Sequence, residues 1–179
     1  LTSALLIIDV QRALCEGEYA AFDIEGVIAR INAVAAKARA ARAPVVFIQH
    51  EEEEGPLAHG SPGWRLDERL EVAPVDLTLR KTAPDSFHRT ELKELLDARG
   101  VDRLIVCGLQ SDFCVDSTTR AALAHGYPVL LVADGHSTTD NGILSASQIS
   151  AHHTRTLQNI SSFGPRVTPR AADAIHIES

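Results

Sequence analysis

The chain has 179 residues, 45% apolar and 23% charged, the size and composition of one globular domain with a sizeable core. A formal net charge of −7 with no basic cluster argues against nucleic acid or anionic membrane as partners. No apolar run approaches the roughly 20 residues that span a bilayer, residues 5–8 are too short for a secretory signal, and Cys15, Cys107 and Cys114 form no C-x-x-C pair, which points to a reducing cytoplasm. In chain order, residues 4–9 read as a buried strand ending in a carboxylate. Residues 23–42 carry apolar side chains at helical spacing, with Asp23 as N-cap. Residues 44–49 are a second strand. Residues 51–76 are polar and rich in Gly and Pro, an irregular excursion whose length suggests function or mobility. Residues 76–80 form a short third strand, and 90–100 a helix stopped by glycine. Residues 103–107 are the fourth strand, 115–125 a helix, 127–133 the fifth strand, 145–160 a helix, and 166–168 a sixth strand.

Strands alternating with helices predict a three-layer α/β/α, Rossmann-like fold over residues 1–179, with a central, mostly parallel sheet of about six strands. The active crevice of such a sheet lies beyond the carboxyl ends of its strands. Asp9 closes the first strand, Lys81 follows the third and Cys114 follows the fourth, so all three are expected on one edge. Cys114 lies at the expected start of a helix, where unpaired N–H groups bias a thiol toward thiolate. Gly108 permits the tight turn before it. A dinucleotide site is disfavoured, because residues 9–13 (DVQRA) replace the glycine-rich turn after the first strand.

The blocks LIIDVQ (6–11), RKTAPDSF (80–87) and GLQSDFCVDSTTR (108–120) resemble the isochorismatase-like cysteine hydrolases, a superfamily that includes nicotinamidases and N-carbamoylsarcosine amidase. Weaker matches are GSPGW (60–64) and ISAHHTRTL (149–157). The resemblance implies a triad of Cys114 as nucleophile, Asp9 as proton acceptor and Lys81 holding the Asp9 carboxylate and steadying the thiolate. It also implies an oxyanion hole from the backbone N–H groups of Cys114 and Gln110, the latter exposed by a cis peptide at Leu109–Gln110. The implied reaction is hydrolysis of a C–N bond in a small amide, ureide or carbamoyl substrate through a thioester. Alternatives are an isochorismatase-type vinyl-ether hydrolase, which needs no cysteine, or a non-catalytic small-molecule-binding protein of the same fold.

Nicotinamidases place a D-x-H pair and a later His around a metal, whereas this chain has QHEE at 49–52 and His59 beyond. His50, Glu52 and His59 suit zinc only by residue type, and the glutamates read as a solvated run. No metal or other cofactor is expected. Candidate substrate contacts are Gln11, Trp64, Phe87, Phe113 and His136. The expected partner is a small-molecule substrate, and the assembly expected from the resemblance is a homo-oligomer, a dimer or higher.

Overall fold

A computed structural model describes residues 1–178. In chain order the regular elements are β1 (Ser3–Ile8), α1 (Arg12–Cys15), α2 (Ile24–Ala40), β2 (Val45–His50), β3 (Leu77–Lys81), α3 (Leu92–Asp97), β4 (Arg103–Leu109), α4 (Cys114–Ala124), β5 (Val129–Ser137), α5 (Ala146–Asn159) and β6 (Val167–Arg170). The six strands form one sheet in the order β3-β2-β1-β4-β5-β6, and every pairing is parallel.

Helices on both faces explain why the central strands read as unbroken apolar runs. Alternation along β1 splits its side chains between two cores. Leu6 and Ile8 pack with Val46, Ile48 and Val106 against Leu92, Leu96, Val115 and Leu123 of α3 and α4. Leu5 and Ile7 pack with Phe47, Ile105 and Cys107 against Val27, Ile28 and Ile31 of α2.

The strand order also fixes where a site belongs. Successive connections run outward from β1 to β3, then return across the sheet to β4 and run outward the other way. The reversal lies between the carboxyl ends of β1 and β4, the switch point at which open α/β sheets bind ligands. Asp9 follows β1 and Cys114 opens the helix after β4, so both stand at that switch point.

Three departures from the sequence reading stand out, beside shifts of one or two residues at other element ends. β5 continues four residues beyond the expected end, because a register shift between Val106 and Gly108 lets His136 and Ser137 pair with Gly108 and Leu109. α3 stops at Asp97, and Gly100 ends the following turn with φ 61°, its N–H bonded to the Asp97 carbonyl. Asp23 occupies the N-cap position of α2 but its side chain caps no N–H; Oδ2 accepts from Arg30 at 2.6 Å instead. Residues 51–76 are irregular as expected, apart from isolated bridges Gln11–Leu66 and Glu52–Ala58.

Gly108 has φ 114°, and a Cβ there would overlap the Ile8 carbonyl and stand 2.6 Å from Ile8 N. Overpacking and left-handed strain together predict that Gly108→Ala lowers stability by about 2–4 kcal/mol. Denaturant unfolding checks this, and a loss below about 0.5 kcal/mol would contradict it.

Candidate active site

Asp9 and Lys81 are delivered by strand ends and Cys114 by a helix start. Asp9 leaves β1 with φ 51°, a left-handed conformation that Asp tolerates better than most residues. Its N–H donates to the Ile48 carbonyl at 2.9 Å, which ties the turn to β2. Lys81 is the last residue of β3 and sits in register with His50 at the end of β2. Its side chain reaches inward past β2 to Asp9 and Cys114. Cys114 is the first residue of α4, and no side chain caps that helix.

The Lys81 ammonium is the hub. Nζ donates to Asp9 Oδ2 at 3.0 Å, to the Ala83 carbonyl at 3.0 Å and to Cys114 Sγ at 3.2 Å. His50 Nδ1 lies 3.1 Å away. An ammonium only donates, so Nδ1 accepts and the His50 proton sits on Nε2. Four acceptors share three N–H groups. Asp9 and Lys81 are 1% and 2% exposed, and Asp9 Oδ1 is buried with no hydrogen-bond partner among the described residues. An unpartnered buried carboxylate oxygen beside a thiol is an available proton acceptor.

Burial, and then the Asp9 carboxylate, push the Cys114 thiol up to about 12, against the opposing pull of Lys81. The expected bias toward thiolate is thus corrected: the resting group is a thiol. A helix start offers about half an elementary charge, which desolvation and a full carboxylate outweigh. Burial, followed by Lys81, lowers the His50 pKa and keeps the ring neutral. Cys15 and Cys107 are buried, whereas Cys114 is partly exposed. Iodoacetamide is therefore expected to label Cys114 first. Because the thiolate fraction grows with pH below a raised pKa, the rate should climb about tenfold per unit between pH 6 and 9. Peptide mass mapping would contradict this with a rate flat in pH or with earlier labelling of Cys15 or Cys107.

Around the Cys114 turn, the Leu109–Gln110 peptide is cis. The N–H groups of Phe113 and Val115 both donate to the Gln110 carbonyl, at 3.1 and 3.2 Å. Among the described residues, the N–H groups of Gln110 and Cys114 have no protein acceptor.

The structure sorts the candidate substrate contacts. Gln11 is fully buried; its amide donates to the carbonyls of His50 at 2.8 Å and Trp64 at 2.9 Å and accepts from His50 N–H. It is a clamp that joins β2 to the 51–76 segment, with both amide protons engaged. Phe87 is corrected to core: it is buried and packs on the rings of Tyr127 and His125. Phe113 is 55% exposed and immediately precedes Cys114. Trp64 meets His59 edge-on, and its Nε1 is buried without a partner. His136 is buried and bonded at both ring nitrogens, to Ser111 and Thr154. It lines a cleft of about 450 Å³ between α2, the end of β5 and α5, which contains none of Asp9, Lys81 or Cys114.

Among the described residues, Asp9, His50 and Cys114 bring ligand atoms within 4.8 Å of one another, an O, N and S set that suits zinc. Lys81 Nζ already stands 3.0–3.2 Å from atoms of all three, so the ammonium supplies the positive charge there. The His50, Glu52 and His59 set does not converge: His50 Nε2 is 3.9 Å from Glu52, while His59 packs on Trp64. Residue type alone marks His50 as a metal candidate and does not show its contact with Lys81. The available signal was its place at the end of β2, on the same sheet edge.

The isochorismatase domain model matches residues 3–169. Streptothricin hydrolase of Streptomyces noursei is 42% identical over 138 residues, 76% of this chain and 50% of that protein. The chain thus spans about half the length of that relative. An uncharacterized isochorismatase family protein of Bacillus subtilis is 33% identical over 144 residues, 78% of this chain and 79% of its own. Ureidoacrylate amidohydrolase of Methylobacterium radiotolerans is 32% identical over 170 residues, 74% of this chain and 66% of that protein. The crystal structure of an isochorismatase family protein superposes with a TM-score of 0.86 at 36% identity, covering 95% of this chain and 98% of that one. A domain match across nearly the whole sheet and a full-length superposition have one meaning: the chain belongs to the isochorismatase family.

Proposed function

We propose that the chain is a cysteine-dependent hydrolase that cleaves a C–N bond in a small amide, ureide or carbamoyl compound. The observation that carries this reading is the contact of Lys81 Nζ with both Asp9 Oδ2 (3.0 Å) and Cys114 Sγ (3.2 Å), beside a buried Asp9 Oδ1 with no partner. Cys114 Sγ attacks the substrate carbonyl as Asp9 takes the thiol proton, so no free thiolate accumulates. Lys81 stays protonated and offsets the negative charge that moves from Asp9 to the carbonyl oxygen. The N–H groups of Gln110 and Cys114 receive that oxyanion. Collapse breaks the C–N bond, and Asp9 returns the proton to the departing amine. Water then attacks the thioester, its proton going to Asp9. The carboxylic acid leaves and the sulfur regains its proton from Asp9.

The name of one relative, ureidoacrylate amidohydrolase, agrees with C–N chemistry, and that of another, streptothricin hydrolase, with hydrolysis. A screen for ammonia or amine release across amides, ureides and carbamoyl compounds tests the reading. Turnover of at least one class is expected, and it should vanish in Cys114→Ala. No release from any class, or a vinyl-ether substrate turned over equally by Cys114→Ala, would overturn it.

A further inference from the structure

Behind the turn that carries Gln110 lies a polar chain, buried at Ser111 and His136 and half-buried at Ser150 and Thr154, that the reaction above does not use. Ser111 N–H donates to the Ser137 carbonyl at 2.9 Å. Ser111 Oγ lies 2.6 Å from His136 Nδ1 and 2.9 Å from Ser150 Oγ. His136 Nε2 lies 2.9 Å from Thr154 Oγ1. Ser111 is fully buried and His136 is 4% exposed. Ser150 and Thr154 are four residues apart on α5 and so share a face of that helix.

We propose that Ser111 and His136 are positioning residues, anchored to α5 through Ser150 and Thr154, that hold the Gln110 N–H toward the carbonyl attacked by Cys114. This rests on the amidohydrolase reading above and adds two residues to it. A neutral imidazole donates at one nitrogen and accepts at the other, and each hydroxyl can do both, so all four members can be satisfied at once. Burial lowers the His136 pKa to about 4, which keeps the ring neutral near pH 7. Such a chain fixes one geometry where an apolar core would only fill space. The apolar run of β5 ends at Ala133, yet the register shift carries the strand on to seat His136 opposite Gly108. The polar chain ends at the residue next to Gln110, whose own N–H has no acceptor among the described residues. Losing a whole oxyanion donor costs about 100- to 1000-fold in turnover, so a misaimed one should cost less.

Two substitutions at one position separate the ends of the relay. In His136→Asn the amide falls near Nδ1 and can keep the bond to Ser111. In His136→Gln it falls near Nε2 and cannot. Both, with Ser111→Ala, would be assayed on an amide from the screen, with kcat expressed per titrated Cys114 thiol. A small aldehyde, whose hemithioacetal oxygen occupies the oxyanion position, is the second readout. Expected are about 30-fold lower kcat in His136→Gln and Ser111→Ala, KM within about threefold, and aldehyde binding weakened in parallel. His136→Asn should recover most of the loss. If His136→Gln does not fold, Thr154→Val at the far end of the relay replaces it, with kcat lowered about threefold or more at constant KM. Values of kcat per thiol unchanged in these variants, or His136→Asn no better than His136→Gln, would overturn the relay alone. A wild type that turns over no amide would overturn the proposed function and the relay with it.

Discussion

Cys114→Ala is expected to lower amide turnover by about 10⁴-fold or more, because a group acting as nucleophile has no substitute in the site. The protein should stay folded. The substitution removes one partly buried sulfur, and Lys81 keeps its bonds to Asp9 and to the Ala83 carbonyl. Melting temperature and circular dichroism should therefore match the parent closely. Cys114→Ser should be nearly as inactive. A hydroxyl is far harder to deprotonate than a thiol, and in the proposed mechanism Asp9 with Lys81 takes a thiol proton. Asp9→Asn keeps the shape of the side chain but removes the acceptor, so it should fall to a similar residual rate. The double variant Asp9→Asn/Cys114→Ala should then be little worse than either single one, since both remove the same step. Substantial amide turnover in Cys114→Ala, or multiplied losses in the double variant, would mean the groups act separately.

Lys81→Ala should cost both activity and about 3–5 kcal/mol of stability, the usual penalty for leaving one partner of a buried ion pair uncompensated. The magnitude follows from burial: Lys81 and Asp9 side chains are 0% and 2% exposed, so water cannot replace the ammonium. The Ala83 carbonyl and His50 Nδ1 lose a donor in the same substitution. Adding Asp9→Asn to Lys81→Ala removes the stranded charge. The double variant is therefore expected to regain a large part of the lost stability, with no return of activity. Denaturant midpoints of the parent, the two single variants and the double variant measure this coupling. A loss below about 1 kcal/mol in Lys81→Ala, or a double variant at the sum of the singles, would show that the pair is not the electrostatic unit described here.

Much of this architecture can be read from the residues alone. β1, β2 and β4 are legible because a strand covered on both faces is apolar at every position. The strand-end rule then places Asp9, Lys81 and Cys114 on one edge without any coordinates. What escaped the sequence depends on register and on polar burial. The end of β5 is polar, at Asp134, His136 and Ser137, and its pairing rests on a register shift that no local pattern announces. His50 could not be matched with Lys81 until β2 and β3 were aligned residue by residue. Phe87 looked like a pocket wall beside the Lys81 block but packs into the core with Tyr127, since an aromatic side chain reads the same in either place. The helix-start rule misjudged the charge state of Cys114 because it counts the helix and omits desolvation.

The central claim is that Cys114 forms a thioester with the acyl part of the substrate. Hydroxylamine can compete with water for such an intermediate and convert it to a hydroxamate. The measurement uses two amides with the same acyl group and different leaving amines, each turned over at the same hydroxylamine concentration. A shared acyl-enzyme has already lost the amine when the two nucleophiles compete. The predicted result is therefore one ratio of hydroxamate to acid for both substrates, whatever their individual rates. Ratios that differ with the leaving amine would place the competition before the C–N bond breaks and contradict covalent catalysis by Cys114.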